Sequence, residues 1–171
     1  IMSLILQTPR LYLRRFTTDD AHLLLQLNSD PEVLKYLHEP ALQDEAHATE
    51  ILKNIILPQY EKNLGRWATY ITNSEEFIGW CGLKYHMDTG EIDLGYRFMK
   101  KHWGKGYATE AAQHTLNYGL QELLLKEITA CAHVENLASL KVLEKIGMQF
   151  TGVGFDEGVP VKGYVSFSNN I

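Results

Sequence analysis

Two cysteines in 171 residues are too few for a disulfide framework. Both, Cys81 and Cys131, lie in apolar, strand-like segments without a CxxC or Cys/His partner at metal-ligand spacing, so they read as free core thiols and no metal is expected. Also lacking are an apolar run near the roughly 20 residues of a membrane span and a basic-then-apolar leader with a small-residue cleavage site. These absences argue against a membrane partner and predict a cytoplasmic protein. Positive charge is not in surplus: a formal net charge of -5 gives no broad footprint for nucleic acid. Repeats, low-complexity tracts and an interdomain linker are missing too. What remains, 171 residues of which 45% are hydrophobic, suits one compact domain spanning residues 1–171.

The hydrophobic pattern predicts an α/β (α+β) chain. Thr8 to Phe16 alternates apolar and polar residues as a half-buried strand does, and Thr17/Thr18-Asp19-Asp20 offers caps for a helix from Ala21 to Leu27. A second helix is expected from Asp44 to Leu57, ended by Pro58 and by Asn63-Leu64-Gly65. Arg66 to Thr72, Phe77 to Met87 and Glu91 to Phe98 read as strands with short joins, hence an antiparallel meander. The stretch from Gly104 to Leu124 is helical in spacing, Ile128 to Val134 is strand-like, and Asn136 to Ile146 is a helix stopped by Gly147. That crossover predicts a parallel pairing, and Met148 to Val153 with Lys162 to Phe167 makes a final strand pair.

The most informative segment is Lys100-Lys101-His102-Trp103-Gly104-Lys105-Gly106-Tyr107-Ala108-Thr109-Glu110-Ala111, which leaves a strand, passes two glycines and opens a long helix. Glycines let backbone approach a ligand, and free N–H groups at a helix start face an anion together with the positive end of the dipole. Three lysines sharpen this in an acidic chain. The loop does not fit a Walker motif, which needs Gly-Lys-Ser/Thr, and a dinucleotide fingerprint would need glycine or alanine where Thr109 stands. A nicotinamide-dependent oxidoreductase is therefore disfavoured. His102 reads as an exposed turn residue and Trp103 as a packing wall.

Trp103 to Ala108 resembles the acyl-CoA loop of GNAT N-acetyltransferases, Gln/Arg-x-x-Gly-x-Gly/Ala, with Gly106 and Ala108 in the small positions. Trp103 departs from the first position as in the branch containing the RimJ and RimL ribosomal-protein acetyltransferases. Asn136-Leu137-Ala138-Ser139 and Lys145-Ile146-Gly147-Met148 resemble the Asn-x-x-Ser helix and Lys-x-Gly-Phe ending of that branch. The resemblance extends from Thr8-Pro9-Arg10-Leu11 through the last strand. It implies a mixed, mostly antiparallel sheet of about seven strands, splayed centrally and flanked by about four helices. It also implies transfer of an acetyl group from acetyl-CoA to a primary amine, on a small molecule or a protein N-terminus, by direct attack in a ternary complex.

On this resemblance the N–H groups of Gly104, Lys105, Gly106, Tyr107, Ala108 and Thr109 bind the CoA pyrophosphate. Phe98 pairs with the pantetheine amides and Asn136 contacts the same arm. Ser139 serves as the hydroxyl near the leaving sulfur, ahead of Tyr164. Leu137, Leu140, Leu143 and Ile146 form an apolar core stripe. A protonated amine must lose a proton before it attacks a thioester, which requires a base or a water path. Asp93, in Asp93-Leu94-Gly95-Tyr96, aligns with the acidic-x-Gly-Tyr pattern of the branch and is the first candidate; Glu91, two residues earlier on the same strand face, is the second. Gly95 is read as a possible bulge that splays the strand. Tyr36, His38, Glu39, Phe155, Asp156 and Glu157 are candidates for the acceptor pocket. A CoA-binding module without transfer would keep the loop but need no base. Monomer and homodimer stay open.

Overall fold

The computed structural model describes residues 3–169. Eight strands form one sheet in the order β1-β2-β3-β4-β5-β6-β8-β7. They are β1 (Leu4–Gln7), β2 (Leu11–Arg15), β3 (Gly65–Ile71), β4 (Glu76–Tyr85), β5 (Ile92–Phe98), β6 (Glu127–His133), β7 (Gln149–Asp156) and β8 (Val159–Phe167). The alternation in residues 8–16 becomes β2, whereas β1 precedes it and was not anticipated: Leu4, Ile5 and Leu6 lack the polar alternation that marks a half-buried strand. The meander β2-β3-β4-β5 is antiparallel, as the short joins predict.

Helices α1 (Ala21–Asn28), α2 (Glu45–Ile51), α3 (Leu57–Tyr60), α4 (Tyr107–Asn117) and α5 (Leu137–Lys145) flank the sheet. A π-helical turn, Leu52–Ile56, joins α2 to α3 without a break, so four helical bodies result. Pro58 does not end this helix. The turn shifts the backbone pairing, with Leu57 N–H donating to Leu52 O, and places Pro58 in the first turn of α3, where its missing N–H costs little. Asn63, with φ 59°, completes the exit.

The core lies between the sheet and these helices, with Trp67, Phe16, Leu13, Leu52 and Ile78 almost wholly buried. Of the stripe expected on α5, Leu140, Leu143 and Ile146 are buried, but Leu137 is 67% exposed because it opens the helix before the sheet covers it. Cys81 is buried as expected; Cys131, on the face of β6 away from α5, is exposed.

At the middle of the sheet β5 and β6 run parallel but share one registered pair, Asp93 with Thr129. Beyond it the two strands diverge. Gly95 is not the cause: β4 pairs with β5 without interruption from Tyr85–Ile92 to Gly79–Phe98. At Gly95 a Cβ would meet the Trp80 ring at 3.5 Å, an ordinary contact, so the ring lies over this residue. The irregularity sits on the other side of β4, between Thr69 and Tyr70 of β3, where Ile78 is extra. Gly79 follows with φ 147°, and a Cβ there would stand 2.0 Å from Arg97 O. Backbone cannot swing aside as a side chain can. Gly79→Ala is therefore expected to cost about 2 kcal/mol or more, read as a fall of about 4–8 °C in thermal midpoint.

Candidate active site

Glycines at 104 and 106 take φ 76° and 82°, which turns the chain from β5 into α4. Glu110 N–H donates to Gly106 O, but no acceptor among the described residues takes the N–H groups of residues 104–109. These donors cluster at the start of an eleven-residue helix, the arrangement that receives a pyrophosphate. Of the three lysines read as free charge, Lys101 pairs with Glu76 and Lys100 lies 4.0 Å from Glu32, so Lys105 is the one left without an ion pair among the described residues.

Arg10 braces this loop from nearly 100 residues away in sequence. Its Nε lies 2.8 Å from Glu110 Oε1, its NH1 donates to Lys105 O at 2.9 Å, and its guanidinium stacks 4.4 Å from the Tyr107 ring centre. Thr8 adds a hydroxyl bond to Glu110. Reading the sequence singled out Thr8-Pro9-Arg10-Leu11 without giving Arg10 this task; only the folded chain brings it to the loop. His102 is buried rather than exposed, edge-on to Tyr107, and burial first, against the opposing pull of Glu76, lowers its pKa. Trp103 does more than pack: its indole Nε1 donates to Phe98 O at 2.8 Å.

That carbonyl belongs to the diverging edge. Met99 N–H pairs back toward β4 through Ile78 O, so strand alternation turns the backbone of residues 94, 96 and 98 toward β6. The same alternation sends side chains to opposite faces. Tyr96 faces α5, where its hydroxyl donates to Ser139 Oγ at 2.9 Å, and burial above all pushes its pKa up to about 12. Ser139 N–H in turn donates to Asn136 Oδ1 at 3.2 Å, so Asn136 is the N-cap of α5. Tyr164 is directed elsewhere, its hydroxyl 3.4 Å from Glu144.

Asp93 projects from the other face. Its Oδ1 lies 3.0 Å from His86 Nε2, and the hydrogen bond to Asp93 is the main cause that raises the His86 pKa against burial. His86 was not anticipated, because it follows β4 and reaches Asp93 only across the β4–β5 pairing. Glu91 stands just before β5, exposed, with its carbonyl accepting from His86 N–H. On Asp93's face the segment between α1 and α2 spans the divergence. Glu39 pairs with Arg97 of β5 at 3.2 Å, and the Tyr36 ring meets His133 of β6 at 5.2 Å. Burial pushes the Glu39 carboxyl up, but Arg97 and then Arg66 and Lys84 outweigh it and hold it below its usual value.

The acetyltransferase (GNAT) domain family matches residues 10–149. The chain belongs to the GNAT acetyltransferase family. It is 35% identical over 149 residues to an uncharacterized N-acetyltransferase, p20, of Bacillus licheniformis, covering 86% of this chain and 84% of that one. A GNAT-family acetyltransferase of Bacillus anthracis superposes with a TM-score of 0.79 at 27% identity, covering 96% of this chain and 98% of that chain. RimL, a ribosomal L7/L12 α-N-protein acetyltransferase in complex with coenzyme A, shares the fold at a TM-score of 0.83 and 16% identity, covering 98% of this chain and 99% of that one. The protein is thus an N-acetyltransferase, and no group of three or more metal-ligating side chains occurs among its described residues.

The raised His86 pKa has a testable sign. Its imidazolium–Asp93 pair stabilises the fold fully below the unfolded value of about 6.5 and loses that contribution as pH rises through the higher folded value. In an NMR titration the His86 midpoint is expected above about 6.5, returning toward it in Asp93→Asn.

Proposed function

We propose that this GNAT protein transfers the acetyl group of acetyl-CoA to a primary amine by direct attack, with the thioester held where β5 and β6 part. The observation that carries this reading is the placement of Asp93 and the Tyr96–Ser139 pair on opposite faces of the diverging strand.

The N–H groups of Gly104, Lys105, Gly106, Tyr107, Ala108 and Thr109 bind the pyrophosphate, with Arg10 fixing the loop around them. The Phe98 N–H meets the pantetheine arm, its carbonyl being held by the Trp103 indole, and Asn136 steadies the first turn of α5 beside that arm. The amine approaches from Asp93's side. Asp93 accepts its proton, while His86 holds one carboxylate oxygen and orients the other. Glu91, exposed before the strand, is the weaker candidate. The amine nitrogen bonds to the thioester carbon and the C–S bond breaks. The thiolate then takes a proton from the Ser139 hydroxyl, which Tyr96 polarises through their hydrogen bond, and Ser139 regains a proton from water as Asp93 releases the amine's proton to solvent. A serine hydroxyl is a poor acid by itself; a donating tyrosine makes it a better one.

A covalent route is disfavoured at the nearest thiol. Although Cys131 stands exposed on its strand, desolvation by the surrounding protein and then the charges of Asp156, Asp93 and Glu91 raise its pKa to about 12.

Thiol release with acetyl-CoA and a panel of amines tests the mechanism. Asp93→Asn is expected to lower kcat by about 100-fold or more while CoA affinity stays within about threefold. Cys131→Ser is expected to remain active, and acetyl-CoA alone to leave no acetylated protein in a mass spectrum. Retention of kcat in Asp93→Asn, or accumulation of an acetyl-enzyme, contradicts the mechanism.

A further inference from the structure

The face of the sheet that carries Asp93 holds a set of charges whose pairing is uneven. Register fixes its membership: Arg66 stands opposite Gly82, Trp80 opposite Arg97, Gly82 opposite Gly95, and Lys84 opposite Asp93. Directly opposed residues on antiparallel strands share a face, so Arg66, Trp80, Lys84, Asp93 and Arg97 project together. Two of these charges are matched. Arg97 NH1 lies 2.5 Å from Asn28 Oδ1 and 3.2 Å from Glu39 Oε2. Asp93 is held by His86 at 3.0 Å.

Arg66 and Lys84 are not matched. Among the described residues no carboxylate comes within 4.0 Å of either, and the Arg66 guanidinium makes no side-chain hydrogen bond. Yet Arg66 is not loose. Its guanidinium stacks 4.5 Å from the centre of the buried Trp80 ring, which Arg97 also approaches at 5.5 Å. Trp80 is itself pinned over Gly95. The guanidinium is held against the ring while its N–H donors stay unused, an arrangement suited to a carboxylate or phosphate.

We propose that the acceptor amine bears an anionic group, a carboxylate or phosphate, received by Arg66 and Lys84 on the face that carries Asp93. This rests on the assignment of that face to the acceptor. Electrostatics agree with it. Burial first and then the charge of Arg97 bring Arg66 down to about 10, and burial followed by Arg66 lowers Lys84. Holding the two cations side by side in partly buried surroundings carries a cost that an arriving anion removes. The acids nearby do not fill this role: Glu39 is paired with Arg97, Asp93 with His86, and Glu157 in the β7–β8 turn acts on Lys84 only from beyond ion-pair distance.

Spacing bounds the ligand. Lys84 is one strand from Asp93 and Arg66 two, so amine and anion are separated by about 5–10 Å. A free amino acid, a short acidic N-terminus and an amino-sugar phosphate meet that requirement. A polyamine would bring a second cation against Arg66.

Matched acceptors distinguish the sources: an α-amino acid against its amide, a peptide with N-terminal Glu against one with Gln, an amino-sugar phosphate against the free amino sugar, and spermidine. The anionic member of at least one pair is expected to lead in kcat/KM by about tenfold or more. In Arg66→Gln that ratio should fall toward one, and in Lys84→Met it should shrink, with an unchanged thermal shift by CoA showing that each variant is folded. Equal rates within every pair, spermidine as the best acceptor, or an equal loss for both members in Arg66→Gln would overturn the inference while leaving acetyl transfer intact. Should CoA bind and no acceptor release thiol, the reading of the reaction fails instead. Calorimetry on the CoA-loaded protein then decides the inference alone: Arg66-dependent binding of an anionic amine supports it, and no such binding rejects it.

Discussion

Parallel strands normally share a ladder of hydrogen bonds, and a break in such a ladder at the middle of a sheet leaves backbone groups without partners in a region that solvent reaches poorly. Here β5 and β6 keep one registered pair, Asp93 with Thr129, and then separate. The backbone of Tyr96 and Phe98 consequently faces a widening gap. One of those groups, Phe98 O, is taken by the Trp103 indole. The rest of the molecule is organised around that parting. The meander from β2 to β5 forms one wall, the β6-β8-β7 unit forms the other, and α4 follows from the end of β5 with its N–H groups beside the opening.

Two walls that share a single registered pair need ties elsewhere. On one face the Tyr96 hydroxyl reaches Ser139 of α5 and so links β5 to the helix that follows β6. On the other, the segment between α1 and α2 contacts Arg97 of β5 through Glu39 and His133 of β6 through Tyr36. Arg10 acts within the first wall, holding the start of β2 to the loop before α4. Each involves charge, a hydroxyl or an aromatic edge rather than core packing. Such contacts hold a gap open at fixed width without filling it, which a run of leucines would not do.

Much of this could be read before folding because local signals and global structure agree. Gly104 and Gly106 announce a backbone that must take positive φ, and Asn136 announces a helix start; all three positions do so. The meander is written in short joins and β-branched or aromatic runs. The failures share a cause. Pro58 is a helix breaker by local rule, but a π turn reseats it, and the signal for that turn is not in the proline. Cys131 and His102 exchanged their expected exposures because burial depends on which elements cover a strand end or a loop. His86 and Arg66 carry no motif at all. Their partners, Asp93 and Trp80, come within reach only through strand register, which a single sequence does not specify across a ten-residue strand.

Register also explains why Asp93 and Tyr96 stand on opposite sides of one strand. A strand sends successive side chains to alternate faces, so residues three apart diverge whatever their chemistry. With two residues between them, Asp93 looks toward α1 and its loop, and Tyr96 toward α5. Had the spacing been two or four, the carboxylate and the phenol would stand on one face and could exchange a proton directly. The sheet itself therefore separates them. On the proposed mechanism a thioester in the gap lies between both faces, its carbonyl carbon open to Asp93's side and its sulfur to Ser139's. Slipping β5 by one residue against β4 would invert this arrangement and would also drive Leu94 out of the core, where it is 3% exposed. The apolar residue between the two polar ones thus fixes the chemistry of its neighbours: burial of Leu94 decides which face each of them takes.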